Sequence, residues 1–239
     1  MELFEDLVAS YRILASQGVI DAYGHVSFRS PDNPQRYFLA RSLAPELVQV
    51  EDLIEYDLDS RPLNDKGRES VHERFIHGEI YKSRPDVMAV VHNHSPSVVP
   101  FSVANVPMKA LWHMAAFVGD GLPNWEIREV RKGTNLLVND GILGASLAKK
   151  LGKSPAALMR GHGSVTVGES LPRAVGRSIY LEQSARMQMQ AMTLAGPGGK
   201  ITWFDEAEVQ ASVPLQDYKR AWPLWREKAL AQAKADRRK

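Results

Sequence analysis

The sequence predicts an α/β fold in which a mixed sheet is covered by helices on both faces. Two runs, MAVV (88–91) and AALM (156–159), are apolar at every position, as strands buried on both faces must be. Segments with helical spacing are mixed with shorter runs bounded by turn residues. Their order lacks the strict strand–helix alternation of a parallel Rossmann sheet, which favours the mixed arrangement.

Each element has its own warrant. Leu3, Leu7, Tyr11 and Leu14 recur at helical spacing, so 3–17 is an amphipathic helix, and Gly18 stops it. HVSFRS (25–30), RYFLA (36–40) and LIEYDLD (53–59) are strands of one sheet, separated by turns such as Pro31-Asp32-Asn33-Pro34. Ser70 to Lys82 is a helix starting near Glu69 or Ser70. Val87 to His92 is a central, buried strand. Asn139 to Leu151 is a helix ended by Gly152. Ala156 to Arg160 is a second buried strand that runs into RGHG, and SVTVG (164–168) returns antiparallel to it. Ser170 to Leu194 is a long helix with Pro172 in its first turn, where proline is tolerated. GPGGK (196–200) then links to one or two Trp-containing helices. Residues 1–239 thus form one domain with a helical extension from about 200.

Composition narrows the function classes. There is no cysteine, which excludes disulfides, thiolate nucleophiles and Cys-ligated zinc. The N-terminus carries acids and has no apolar core of a signal peptide, and no run reaches the ~20 apolar residues of a membrane span. A reducing cytoplasm fits best. Net charge is +2, and the basic tail AKADRRK (233–239) is a solvated helix end without aromatic interleaving. Neither a nucleic-acid nor a membrane partner is expected.

Several motifs fail on geometry. In HERFIH (72–77) the histidines are five apart, about 140° around a helix, whereas the zinc-protease device needs four. Glu73 and His77 do share a face. LGKSP (151–155) lacks the first glycine of a phosphate loop, and GHGSVTVG leads into a strand, not a helix. No GxSxG is present.

One pair remains. In VVHNHSP (90–96), His92 and His94 lie two apart, so both rings point to one side if the strand persists. They mark either a half-exposed strand end or two ligands of one metal ion. His162, between Gly161 and Gly163, ends the other buried strand. Three imidazoles and a water make an open catalytic metal site. Glu73 is a candidate carboxylate beside it, or a solvated helix residue.

The order GHVSFR (24–29), HERFIHGEIY (72–81), VVHNHSP (90–96) and LMRGHGSVTVGESL (158–171) resembles the class II aldolase/adducin family over roughly residues 3–196. The resemblance implies a three-layer αβα fold around a mixed, largely antiparallel sheet, and a homotetramer with active sites between subunits. It implies that His92, His94 and His162 bind a divalent metal, zinc or manganese, with iron or cobalt as further choices. It assigns Glu73 as catalytic acid/base, with His72 beside it.

The sequence departs from the sugar-phosphate aldolases of that family where they hold phosphate. Their GN-x-S loop reads Gly24, His25, Val26, Ser27; their TP-x-G loop becomes Ala40, Arg41, Ser42, Leu43, Ala44, Pro45; and the serine pair before the catalytic acid becomes Val71 and His72. A dianion needs several N–H and O–H donors, and the Val71 side chain has none. His25, Ser27, Arg41 and Ser42 instead suit a carboxylate, which arginine grips bidentately. As alternatives, Arg41 is a surface ion pair and His25 and His72 only cap loops.

DAYGHVSFR, ARSLAPELV and WHMAAFVG (112–119) are similar to the family's decarboxylase branch, which acts on hydroxy-carboxymuconic semialdehyde and dihydroxyphthalate-type acids. WHMAAF would give a planar substrate an apolar wall and His113 a polar contact, or it is an ordinary core helix. The expected activity is metal-dependent decarboxylation of a small hydroxy-aromatic or hydroxymuconate-type carboxylate through an enolate or dienolate. The alternatives are a metal-dependent aldolase or epimerase on a sugar acid or sugar phosphate, and, last, a non-catalytic adducin-like module.

Overall fold

The computed structural model describes residues 2–104 and 106–236. Helix α1 (Glu2–Ser16) leads into β1 (His25–Arg29), β2 (Arg36–Ala40) and β3 (Leu53–Asp57); α2 (Arg74–Ser83), β4 (Ala89–Asn93), α3 (Val99–Val103) and β5 (Asn124–Trp125) follow. Then come α4 (Gly141–Leu151), β6 (Ala156–Met159), β7 (Gly163–Gly168), α5 (Leu171–Ala195), α6 (Glu206–Ser212) and α7 (Trp222–Asp236). Of the basic tail, 233–236 close α7 and 237–239 lie outside the described residues.

The strands form one seven-stranded sheet in the order β3-β2-β1-β4-β7-β6-β5. Every pairing is antiparallel except β5 with β6, which is parallel. The expected mixed, largely antiparallel sheet is therefore what the chain forms. Strand β4, which carries most of the apolar run MAVV and ends in His92 and Asn93, is its middle member, buried at every position.

Side-chain alternation sorts the strands into two layers of core. On one face Val26, Ala89 and Val91 pack with Leu7, Tyr11 and Leu14 of α1, Val175 and Ile179 of α5, and Trp222 of α7. On the other, Val90, Val165, Val167 and Ala157 pack with Ile76 and Ile80 of α2 and Leu143 and Leu147 of α4. His92 follows Val90 by two, and His25 and Ser27 flank Val26. These polar residues therefore face α2.

Local signals stop and start the helices as their chemistry requires. Asp140 accepts the Leu143 N–H at the start of α4, and Ser170 accepts the Arg173 N–H at the start of α5. Gly152 and Gly196 take positive φ at the two C-termini. Arg29 donates to four carbonyls, of Val87, Pro34, Tyr81 and Arg84, and so ties β1 to the end of α2 and the entry of β4.

Three expectations differ from the structure. The helix expected from residue 70 begins at Arg74. Ser70 instead forms an isolated bridge with Arg41, the Ser42 N–H donates to the Glu69 carbonyl, and Tyr56 Oη donates to Ser70 Oγ. This long-range pairing holds the segment extended and overrides its helical propensity. The segment 113–118 is a kinked 3₁₀ turn rather than a helix, with Ala115 out of helical geometry. Strand β5 was not foreseen, because two residues carry no readable period.

The β4–β7 pairing is close at one point. A Cβ on Gly163 would lie 2.0 Å from the Asn93 carbonyl oxygen and 3.1 Å from the His94 Cα. Gly163→Ala should force the strands apart, at about 1–3 kcal/mol, and lower the melting temperature by roughly 2–12 °C. A melting curve superimposable on wild type would show that the strands separate there without penalty.

Candidate metal centre

The end of β4, the turn before β7 and the start of α2 meet at one point. His92 is the fourth residue of β4 and is fully buried; His94 lies just beyond the strand. Pairing of Asn93 with Ser164 and of Met159 with Gly163 brings His162, in the tight turn between β6 and β7, alongside. Glu73 precedes the first turn of α2 but does not cap it. Its Oε1 accepts the Val138 N–H at 2.9 Å, which turns Oε2 toward the histidines.

The ring nitrogens converge. His92 Nε2 and His94 Nε2 are 3.2 Å apart, and His94 Nε2 and His162 Nε2 are 3.0 Å apart. Glu73 Oε2 is 3.5 Å from Nε2 of both His92 and His162. All four ligand atoms fall within 4.8 Å of one another. Tetrahedral zinc with bonds of 2.0–2.1 Å sets its nitrogens about 3.3 Å apart, so the donor set fits one divalent ion. His92 Nδ1 lies 3.1 Å from the Ser164 carbonyl; that oxygen can only accept, so Nδ1 carries the proton and Nε2 a lone pair directed inward.

Electrostatics agree with this assignment. Burial, and then neighbouring His92 and His162, lower His94 to about 4, leaving it in the neutral form that ligates metals. Burial alone would raise the Glu73 carboxyl, but His92 and His162 hold it well below the usual carboxylate range. A buried anion facing imidazoles calls for a cation between them.

A second polar layer lies directly behind. His25 stands opposite His92 in the β1–β4 register, their ring centroids 5.0 Å apart. His25 Nδ1 is 2.6 Å from His77 Nε2, His77 Nδ1 is 2.6 Å from Ser27 Oγ, and Ser27 Oγ is 2.7 Å from Tyr81 Oη. Burial, followed by the neighbouring His77 and His92, depresses His25 well below the usual imidazole range. Burial, followed by His92, depresses His77 to about 3. Both are neutral links of one hydrogen-bonded chain.

The other residues singled out in the sequence are placed as follows. Ser27 is wholly enclosed in this chain. Arg41 is ion-paired through Nε to Asp52 at 2.6 Å, and with Ser42 it pairs with the segment leading to Glu73. His72 is exposed on the turn beside Glu73, outside the cluster. His113 is exposed too, and its carbonyl accepts from Gln216. Ala115, Phe117 and Val118 pack in a core with Leu181 and Ala185 of α5. Sequence spacing puts His77 on one face with Glu73, but its part in the chain depends on His25 and Ser27, which are distant in sequence. Its signal was a histidine one turn beyond Glu73 on a face otherwise apolar.

Comparison with known proteins accords with this geometry. The family model for the class II aldolase and adducin N-terminal domain matches residues 5–189. The chain belongs to the class II aldolase and adducin family. It is 35% identical over 240 residues to the decarboxylase tropJ of Talaromyces stipitatus, covering 91% of this chain and 90% of that protein. It is 27% identical over 215 residues to the 3,4-dihydroxyphthalate decarboxylase of Arthrobacter keyseri, covering 86% and 85%. Among solved structures, an L-fuculose 1-phosphate aldolase from Glaciozyma antarctica superposes with a TM-score of 0.77 at 26% identity, covering 95% of this chain and 88% of that one. Among the described residues no helix is long and apolar enough to cross a membrane.

His92→Ala and His94→Ala should each lose bound divalent metal, as measured by elemental analysis of the purified protein; full occupancy in either would remove that ring from the ligand set. In the metal-free protein the depressed imidazoles set a pH dependence. His77 and His94 are neutral when folded but titrate near 6.5 when unfolded, so the unfolded chain binds more protons below that pH. The melting temperature should therefore fall as pH drops from 7 to 5, with a cost from His77 on the order of 1–2 kcal/mol at pH 5. A flat profile over that range would show that these rings are not held neutral.

Proposed function

We propose that the protein is a divalent-metal-dependent decarboxylase acting on a small hydroxy-aromatic or hydroxymuconate-type carboxylic acid. The convergence of Glu73, His92, His94 and His162 on one point carries this assignment. Support for the reaction type comes from the decarboxylase relatives, which match nearly the whole chain. When bound, a divalent ion supplies Lewis-acid stabilisation for the electron pair that carbon–carbon cleavage leaves behind.

The chain's own residues divide the remaining work. Arg41, steadied by Asp52, takes a substrate carboxylate, with Ser42, His72 and His113 at the rim. The substrate C–CO2 bond breaks, CO2 departs, and the carbon it leaves takes a proton. Glu73, whose Oε2 faces the histidines, is the acid/base we assign to move that proton, with the neutral His25 packed behind the ligand rings. If Tyr81 Oη donates to Ser27, Ser27 to His77 Nδ1, and His77 Nε2–H to His25 Nδ1, His25 keeps its proton on Nε2. The chain thus holds His25 as a neutral ring in one orientation. A positioned acid/base such as Glu73 contributes typically ~10²–10⁴ in rate. We also assign a homotetramer, in which a neighbouring subunit completes the site.

Aldol cleavage needs the same electron sink, and the superposition on an aldolase makes it the second reading. Val71, a side chain without a donor in the segment that precedes Glu73, argues against a phosphorylated substrate. Metal-loaded protein incubated with ortho-hydroxy aromatic acids, including 3,4-dihydroxyphthalate, should release CO2, and a chelator should abolish it. Aldehyde from sugar phosphates without any CO2 would overturn decarboxylation in favour of the aldolase. Glu73→Gln should retain protein fold and slow CO2 release at least about 10²-fold; wild-type turnover would take Glu73 out of the chemistry.

A further inference from the structure

The ring of His94 makes no hydrogen bond through Nδ1 among the described residues, unlike His92, whose Nδ1 is held by the Ser164 carbonyl. His94 also stands just past the end of β4, so no ladder bond fixes it. Its aim is set by the backbone of the turn 93–97. That turn is gripped by one side chain from far along the sequence.

The side chain is Glu182, in the middle of α5 and 1% exposed. Its Oε2 accepts from Ser95 Oγ at 2.6 Å and from the Ser97 N–H at 3.0 Å; its Oε1 accepts from Ser97 Oγ at 2.6 Å and from Arg186 at 3.0 Å. Asn93 Oδ1 closes the turn from within, accepting from the Ser95 N–H and from Ser164 Oγ. The network thus runs without a break from α5, through the turn that carries His94, to the residue whose carbonyl orients His92. Burial would raise the Glu182 carboxyl, but Ser95, Ser97 and Arg186 keep it below its ordinary value. A buried anion is a costly way merely to pin a helix to a loop, since an apolar contact would do so without desolvating a charge.

We infer that Glu182 is a positioning residue for the metal centre: by accepting from Ser95 and from both donors of Ser97 it fixes the turn that aims His94 at the other ligands. This rests on the metal assignment above. Glu182→Gln keeps the shape but offers one acceptor oxygen where three donors of the turn and Arg186 now share two. Ser97→Ala keeps the carboxylate and removes one donor. Ser178→Ala, which breaks the buried Thr166–Ser178 contact on the same helix, serves as a control of structural loss alone.

The full-length protein of each variant is titrated with Zn²⁺ against a chromophoric chelator, and the visible spectrum of its Co²⁺-loaded form is recorded. Glu182→Gln and Ser97→Ala should raise the Zn²⁺ Kd about 10–100-fold, the usual effect of removing a group that orients a ligand, and should shift the Co²⁺ bands. Ser178→Ala should lower the melting temperature yet leave Kd and spectrum unchanged. If both turn variants bind Zn²⁺ within twofold of wild type with unshifted bands, Glu182 has no positioning role and the inference fails alone. Should Glu182→Gln not fold, Ser97→Ala decides. If wild type itself takes up neither ion, the metal assignment fails and this inference with it.

Discussion

Everything at this site depends on holding three imidazole nitrogens and one carboxylate oxygen closer together than they would choose to be. Neutral rings with lone pairs directed at one another repel, and a buried carboxylate without a cation is costly. The fold overcomes this by fixing two of the donors from behind and bringing the other two in through the backbone. Val138 holds Glu73, the Ser164 carbonyl holds His92, and the β4–β7 ladder brings His162 to His94. The stiffness of the central strand is therefore a chemical property as much as a structural one. A softer sheet would let the rings part, and the site would lose its claim on a cation.

The same face of the sheet carries an uncommon amount of buried polarity. His25, Ser27, His77 and Tyr81 occupy positions between β1 and α2 where apolar residues would pack at lower desolvation cost. Each finds a partner, so the penalty is offset bond by bond. Such a fully satisfied chain fixes tautomers, because changing one link obliges its neighbours to change too. The arrangement places a layer of definite proton positions behind the ligands rather than an inert hydrophobic wall. Its members alternate regularly along β1 and recur at one-turn spacing along α2, so strand and helix periods together build it.

Much of the architecture was legible in the residues. MAVV and AALM declared buried strands, Gly18 and Gly152 marked helix ends, and the HxH pair with the later GHG pointed to the residues that cluster with Glu73. Long-range pairing was not legible. Ser70 reads as a helix start by local preference, and only the bridge to Arg41 makes it extended. The same limit hid Glu182 and His77, whose roles depend on partners distant in sequence. A trace was present nonetheless: Glu182 lies on the stripe that includes Val175, Ser178 and Ala185, and a carboxylate on a buried stripe asks for a reason.

The register that brings His92 to Ser164 joins positions 72 residues apart in the chain. Contacts of that separation carry a loop-closure cost that the paired sheet must repay. The candidate ligand cluster therefore exists only once the sheet is paired. The nascent polypeptide offers passing cations only scattered single histidines and the lone HxH pair. Unlike a small zinc finger, whose ion nucleates it, this chain has an extensive apolar core on both faces of its sheet. On the proposed function, cation uptake would then be an event separable from folding, made by a scaffold that is already built.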